Sequence, residues 1–559
     1  MFFFLAEHFS KKEFVIDLIL LGFLVVAWLA PEFGKRVLDP IENFSARLAR
    51  RRGLAILLIA LLTIFVRVSL LGLLPVPVPR VHDEFSYLLA ADTFAHGRLT
   101  NPPHPMWVFF ETIHVNQQPT YMSKYPPAQG AVLALGQLLG QPWIGVLLSA
   151  AAMCAAILWM LQGWFPPKWA LLGAVLVLLR LAIFSYWINS YWGGSVAAIG
   201  GALVAGALPR ILKFQRRRDA LLLGIGAAIL ANSRPLEGAI LCLPVTFVLL
   251  AWFARNFHSN WRRALSELIL PLGAILLLCG AFMAYYNWRG TGDALLFPYQ
   301  VNERTYLSTP TLFWEKPRLP LQYRNAQLES YYNGWSHKYW SQNRMDSFNH
   351  AVLHISLIAL KLIYFFLWPE LCVAFLALPW LLRDHRMRTP LVLVLVCSLG
   401  FLLVPWVEAH YAAPMMPLLF ALAVQGLRHL RRWRHAGRPV GIGLCRAVVL
   451  AALVFAPFHH RSGTFEPETD QRPKIEQRAA FLAQLETTPG EHLVIVRYSP
   501  VQSGGEWVYN DADIDHARVV WAREIPGTDL RPLLDYFRGR RVWLAQPDLS
   551  PPTLTPFAQ

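Results

Sequence analysis

The chain has 559 residues, of which 55% are hydrophobic and only 15% charged, with 21 tryptophans and a formal net charge of +16. Many apolar runs approach the length that crosses a hydrocarbon core, which excludes a soluble enzyme and places the chain among polytopic membrane proteins. The basic excess does not point to nucleic acid, because it falls in short connections between apolar runs, where it acts as a topology signal.

Open sheets cannot satisfy their backbone in lipid, so the runs are read as helices. In chain order they predict spans at 14–31, 54–74, 142–163, 169–187, 194–212, 220–233, 236–254, 264–287, 363–382, 390–406, 412–428 and 440–458. The fold class is therefore mainly α, a polytopic helical bundle of eleven or twelve crossings. Segment 14–31 contains Asp17 and follows Lys11 and Lys12, so it crosses or lies at the interface, with crossing favoured. It lacks the small-residue cleavage site of a signal peptide. Residues 1–53 thus form a membrane segment and a basic cytoplasmic loop, and 54–458 the main transmembrane domain.

Arg47 with Arg50 to Arg52, Arg216 to Arg218, Arg262 and Arg263, Arg383 with Arg386 and Arg388, and Arg431, Arg432 and Arg434 mark the cytoplasmic side. Counting spans between them puts loops 75–127, 187–193, 234–235, 288–350 and 407–411, and the tail after 458, on the opposite face. All six cysteines, Cys154, Cys242, Cys279, Cys372, Cys397 and Cys445, fall in predicted spans. They indicate neither a disulfide framework nor a zinc site and read as small buried apolar groups.

The last hundred or so residues change character. An amphipathic helix at 474–486, strands at 492–498, 517–522 and 541–545, and a helix at 530–537 predict a small extracytoplasmic α/β domain over 459–559, joined through the polar stretch 459–473.

Four short motifs share the external face: Asp83-Glu84, Lys124-Tyr125-Pro126-Pro127, Asn232-Ser233-Arg234-Pro235-Leu236-Glu237, and Glu408-Ala409-His410-Tyr411. Their order and spacing over roughly residues 54 to 430 resemble the GT-C glycosyltransferases, in particular the branch related to protein O-mannosyltransferases and the lipid A aminoarabinose transferase. The resemblance implies an enzyme of the cell envelope, in a bacterial inner membrane. It would take a sugar from a polyprenyl-phosphate or diphosphate donor and give it to a lipid, glycan or protein acceptor on the extracytoplasmic face, in contact with membrane lipids and no nucleic acid.

That chemistry accounts for the residue types. An attacking hydroxyl needs a general base, and Asp83 matches the family's base position. Glu84 orients it, binds the sugar or joins a metal site. The alternative for the pair is two solvated carboxylates capping a helix. The departing phosphate needs positive groups or donors. Lys124 offers a point charge, against the alternative of an interfacial snorkelling lysine. Arg234 offers a bidentate contact, against a salt bridge to Glu237. Tyr125, Tyr191, Glu237, His410 and Tyr411 complete the expected substrate-binding set. Interfacial anchoring explains Tyr411 almost as well, and Gly193 and Gly194 permit either close approach to a ligand or tight helix packing. The aromatic loop 288–350 reads as a substrate lid or as a belt at the headgroups. No cofactor is required, and a divalent metal ion at Asp83 or Glu84 stays open, since the superfamily contains both kinds. The histidines of the first loop, His82, His96, His104 and His114, fit no short metal motif, and Asp511, Asp513 and Asp515 read as a loop.

Arg67, Arg180, Lys361 and Asp17 inside spans support a rival reading as a polytopic transporter or flippase, although paired broken helices in two matching halves are missing. A third reading is an envelope scaffold that kept the fold and lost the chemistry. The first expectation concerns orientation. Cysteine labelling should find positions in 75–127, 288–350 and the tail accessible from outside and Arg216 to Arg218 from the cytoplasm, and cytoplasmic labelling at position 83 would remove the polyprenyl-linked donor.

Overall fold

The computed structural model describes residues 11–460, 472–499 and 505–558. Among the described residues, eight helices are long and apolar enough to cross a membrane: Arg52–Ser69, Pro142–Trp164, Ser195–Phe214, Pro235–Asn256, Trp261–Thr291, Phe348–Phe366, His385–Leu403 and Val440–Phe458. The chain is an integral membrane protein built as a helical bundle. Of the other expected spans, three form shorter helices, Pro167–Leu181, Arg217–Ala231 and the apolar Met416–Leu430, packed among the long ones. Segment 14–31 forms helix Lys11–Leu29 beside Val440–Phe455. A Cβ at Gly443 would meet the Ala27 carbonyl oxygen at 2.6 Å, so only glycine admits that approach. The basic loop that follows is instead a second helix, Lys35–Arg50, whose Glu42 pairs with Arg431 and Arg446.

One expected boundary is corrected. The span placed at 363–382 runs instead over Phe348–Phe366 and breaks before the 3-10 stretch Glu370–Ala377. Pro369 has no N–H and disfavours helical geometry at Trp368, so the helix cannot continue. The carbonyls freed at Tyr364, Phe365 and Trp368 accept from the buried Arg180 guanidinium. An arginine that suggested a transport pathway is therefore a helix cap. Arg67, fully buried, likewise donates to the Leu74 carbonyl and to Asn189 Oδ1, each at 2.9 Å. Lys361 donates to Glu408 Oε1 at 2.7 Å. Asp17, the fourth of these charges, has no hydrogen bond to a described residue.

The tail folds as the alternation of its sequence predicts. Strands β3 (His492–Val496), β4 (Val519–Arg523), β5 (Arg541–Gln546) and β6 (Thr553–Pro556) form a sheet in the order β4-β3-β5-β6. The first three strands are parallel and β6 is antiparallel to β5. Helices Arg472–Thr487 and Arg531–Tyr536 accompany the sheet. Strand β6 escaped sequence reasoning because Pro551, Pro552 and Pro556 read as a breaker-rich terminus. Most of the expected linker, residues 461–471, lies outside the described residues.

The tail packs on the two large loops. Leu493, Ile495, Tyr509 and Val520 share one apolar cluster with Leu89, Phe109, Phe110 and Tyr121. Arg523, wholly buried, pairs with Glu506 and also donates to Gln327 Oε1 at 2.8 Å and the Glu111 carbonyl at 3.3 Å. One guanidinium thus joins the tail, loop 75–127 and loop 288–350. Removing one partner of a buried pair strands the other's charge at a cost of about 3–5 kcal/mol. Arg523→Ala is expected to lower the first thermal transition in detergent and expose the tail to limited proteolysis; an unchanged melt would show that the apolar cluster alone holds the tail.

Candidate functional site

Helix His82–Ala95 begins at an extended residue, Val81, and places Asp83 and Glu84 in its first turn, where the helix dipole favours negative charge. The two carboxylates have different surroundings. Glu84 is buried: its Oε1 accepts from the Arg80 N–H at 2.9 Å and the Val81 N–H at 3.3 Å, and its Oε2 from the Tyr191 N–H at 2.9 Å. It caps its own helix and ties it to the connection before helix Ser195–Phe214. Burial, only partly offset by these donors, pushes the Glu84 carboxyl up to about 7.

Asp83, with its side chain 24% exposed, stays reachable. Its Oδ1 accepts from the Tyr125 hydroxyl, and its Oδ2 lies 3.6 Å from His114 Nδ1. Burial opposes ionisation here too, but His114, Lys124 and the Tyr125 hydroxyl outweigh it and hold the carboxyl well below the usual range. A two-residue antiparallel ladder, β1 (Val115–Asn116) with β2 (Met122–Ser123), sets this arrangement. Its register puts His114 opposite Lys124, whose N–H reaches the His114 carbonyl at 3.3 Å. Ser86, one helical turn beyond Asp83, donates to the same carbonyl at 2.7 Å.

The cations come from two helix starts. Lys124 and Tyr125 precede helix Pro127–Leu138, and Arg234 precedes helix Pro235–Ala264, each with proline at the first position, where its missing N–H is tolerated. The Ala128 N–H donates to the Asn232 carbonyl at 2.9 Å and ties the two starts together. Burial and Arg234 work against the Lys124 charge, Asp83 and Glu303 support it, and the ammonium is brought down to about 8. Arg234 lies over the Tyr411 ring at 4.3 Å, and its guanidinium hydrogen-bonds no described residue. Neither Arg234 nor Lys124 has a carboxylate within 4.0 Å among the described residues, and no Arg234–Glu237 ion pair forms there.

The remaining expected residues divide. Tyr411 joins the site through Arg234. His410 is buried behind it, 2.9 Å from the Tyr186 hydroxyl. Tyr191 is buried, its hydroxyl donates to the Pro77 carbonyl at 2.9 Å, and its carbonyl accepts from Gln129 at 2.8 Å. Gly193 and Gly194 serve packing, since a Cβ on Gly194 would meet the Trp187 ring at 2.5 Å. Loop 288–350 contributes Tyr331, whose hydroxyl lies 3.1 Å from His114 Nε2, while Tyr339 stacks on Trp406 with ring centroids 4.6 Å apart. Sequence reasoning gave His114 no role beyond a metal ligand, and nothing in its local pattern sets it apart from the other loop histidines. Among the described residues no group of three or more His, Cys, Asp or Glu is placed to hold a metal. Asp83 has one oxygen engaged by Tyr125 and Glu84 has both on backbone donors, so this pair does not fit a metal site.

No protein-family model and no curated protein matches the chain. Among solved structures it is similar to ArnT from Cupriavidus metallidurans bound to undecaprenyl phosphate, at 15% identity and TM-score 0.45, covering 88% of this chain and 92% of the other. It is similar to the Archaeoglobus fulgidus oligosaccharyltransferase in complex with Zn and sulfate at 10% identity and TM-score 0.44, covering 88% of this chain and 67% of that one. For the archaeal oligosaccharyltransferase AglB from Archaeoglobus fulgidus with an inhibitory peptide and a dolichol-phosphate, identity is 12%, TM-score 0.41, and coverage 79% and 62%. At these identities and TM-scores the functional reading rests on the residues of this chain.

The Glu84 clamp has a pH signature. Its folded-state pKa, about 7, lies above the ordinary 4.5, so its share of stability is complete below about pH 4.5 and is lost as pH rises through about 7. Glu84→Gln is expected to remove that part of the slope of melting temperature against pH. It should also cost about 1–3 kcal/mol at acid pH, because the amide group faces a backbone N–H. A variant that melts with the wild-type pH slope would show that another group carries it.

Proposed function

We propose that the protein is a GT-C type membrane glycosyltransferase that moves a sugar from a polyprenyl-phosphate or diphosphate donor to an envelope lipid, glycan or protein. The reaction takes place on the extracytoplasmic face of a bacterial inner membrane. The observation that carries this reading is the meeting of one reachable, ionised carboxylate, Asp83, with two cations, Lys124 and Arg234, that form no ion pair within 4.0 Å with any described residue. Positive charge not already bound in an ion pair is available to the anion of a ligand.

In this reading the donor phosphate lies against Lys124 and Arg234. A small cleft lined by Pro126, Pro127, Tyr286, Phe297 and Tyr299 lies beside the same two helix starts. The acceptor hydroxyl oxygen bonds to the anomeric carbon, and the bond from that carbon to the phosphate oxygen breaks. The phosphate leaves with the electron pair, towards the two cations. The hydroxyl proton passes to Asp83. A carboxylate of low basicity suffices because the anomeric carbon is electron-poor in the transition state and makes the attacking hydroxyl acidic as the bond forms. Glu84 and Tyr191 hold the base in place, and Tyr411 positions Arg234.

Asp83→Asn keeps the volume and loses the proton acceptor, so transfer should fall on the order of a hundredfold or more while the donor still binds. The assay is sugar transfer by the purified protein from a polyprenyl-phosphate sugar to an envelope extract. Full transfer by Asp83→Asn would assign the base elsewhere. No transfer by the wild type, with saturable solute movement in liposomes, would favour the transporter.

A further inference from the structure

His114 sits at the centre of a chain of polar groups that the reaction above does not use. Its backbone has φ +65°, a left-handed conformation that a non-glycine residue adopts at a cost. The strained turn is held from both sides, by the Ser86 hydroxyl and by the Lys124 N–H on its carbonyl. Its ring is 6% exposed, and both nitrogens have tyrosine partners: Nδ1 is 3.1 Å from the Tyr125 hydroxyl and Nε2 3.1 Å from that of Tyr331.

The donors fix the tautomer. The Tyr125 proton is given to Asp83, so the His114 nitrogen facing that phenol oxygen must be the donor, which leaves Nε2 to accept from Tyr331. Besides Asp83 and Tyr125, the ring faces His82, with centroids 6.1 Å apart, the charge of Lys124, and Tyr331. Backbone strain at a buried histidine whose two ring nitrogens both have partners points to a residue whose side chain is used.

We infer that His114 is a positioning residue for Asp83: its Nδ1–H holds the Tyr125 phenol, which in turn donates to Asp83 Oδ1, so that Oδ2 stays directed at the incoming hydroxyl. The inference rests on the glycosyl-transfer reading. Burial and the Lys124 charge push the imidazole down to about 4, so it is neutral wherever Asp83 works as a base. Protonation below that pH places a full cation against the carboxylate, strengthens its hold on Asp83 and forces Tyr331 to turn. Transfer is then expected to fall as pH drops through about 4, where His114 gains its charge beside Asp83.

Two variants separate this role from bulk packing. Asparagine tolerates the left-handed backbone and its amide nitrogen stands where Nδ1–H stands, but it does not titrate. His114→Asn should keep transfer near the wild-type rate at pH 7 and shift the acid limb to lower pH. His114→Phe keeps the ring and removes the donor, so kcat should fall on the order of a hundredfold, with KM for the donor little changed. Wild-type kcat in His114→Phe, or an unmoved acid limb in His114→Asn, overturns the inference while leaving the glycosyltransferase reading intact. If His114→Phe does not fold, the limb of His114→Asn decides alone. Absence of transfer by the wild type overturns both.

Discussion

The site depends on one buried carboxylate whose two oxygens are both taken up by backbone donors. Glu84 accepts three backbone N–H groups, two from the turn before its helix and one from Tyr191. Those donors have no other hydrogen bond once the turn is buried, and leaving any of them unpaired costs more than the net worth of a hydrogen bond. The clamp therefore fixes where helix His82–Ala95 starts, and with it the direction of Asp83, the next residue. It also pins the connection before helix Ser195–Phe214 against the first loop, so that the Asp83 helix is braced by the bundle.

A second constraint acts from above. Loops 75–127 and 288–350 are far apart in sequence and meet through the tail, where Arg523 binds Glu506, Gln327 and the Glu111 backbone at once. The tail also reaches the site directly: Tyr509 lies 2.8 Å from His82 Nδ1 and stacks on Phe85 at 4.2 Å. The tail is thus a structural part of the site's wall.

Much of this was legible in the sequence because it follows from strong local rules. Apolar runs mark the bundle, alternation marks the three parallel strands, and the basic clusters group loops 75–127, 187–193, 234–235, 288–350 and 407–411 on one face. Residues from all five groups meet at the site: Glu84 with Tyr191, Arg234 with Tyr411, and His114 with Tyr331. What sequence patterns do not reveal is which of two adjacent carboxylates turns inward. Asp83 and Glu84 differ by one methylene and by 100° around a helix, and only the fold decides that Glu84 faces the backbone donors and Asp83 the cations. The direction of the Tyr191 side chain is hidden in the same way: its N–H reaches Glu84 while its hydroxyl turns to the Pro77 carbonyl. The break at Trp368-Pro369 was hidden by the apolar residues on both sides, and it became intelligible only with Arg180 beneath the freed carbonyls.

The distribution of satisfied and unsatisfied charge argues for chemistry at one end of the bundle over passage through it. A pathway for a charged solute needs ionisable groups along the membrane that can exchange partners. Arg67 and Arg180 are instead spent on local carbonyls, and Lys361 on Glu408 and the Val407 carbonyl. Moving any of them would expose backbone groups that nothing else in the interior can satisfy. Lys124 and Arg234, which form no ion pair within 4.0 Å among the described residues, lie at the starts of two helices tied together by the Ala128–Asn232 hydrogen bond, beside Asp83. Positive charge held ready at a fixed place, with a carboxylate next to it, suits a bond-breaking step that releases an anion and a proton at the same moment.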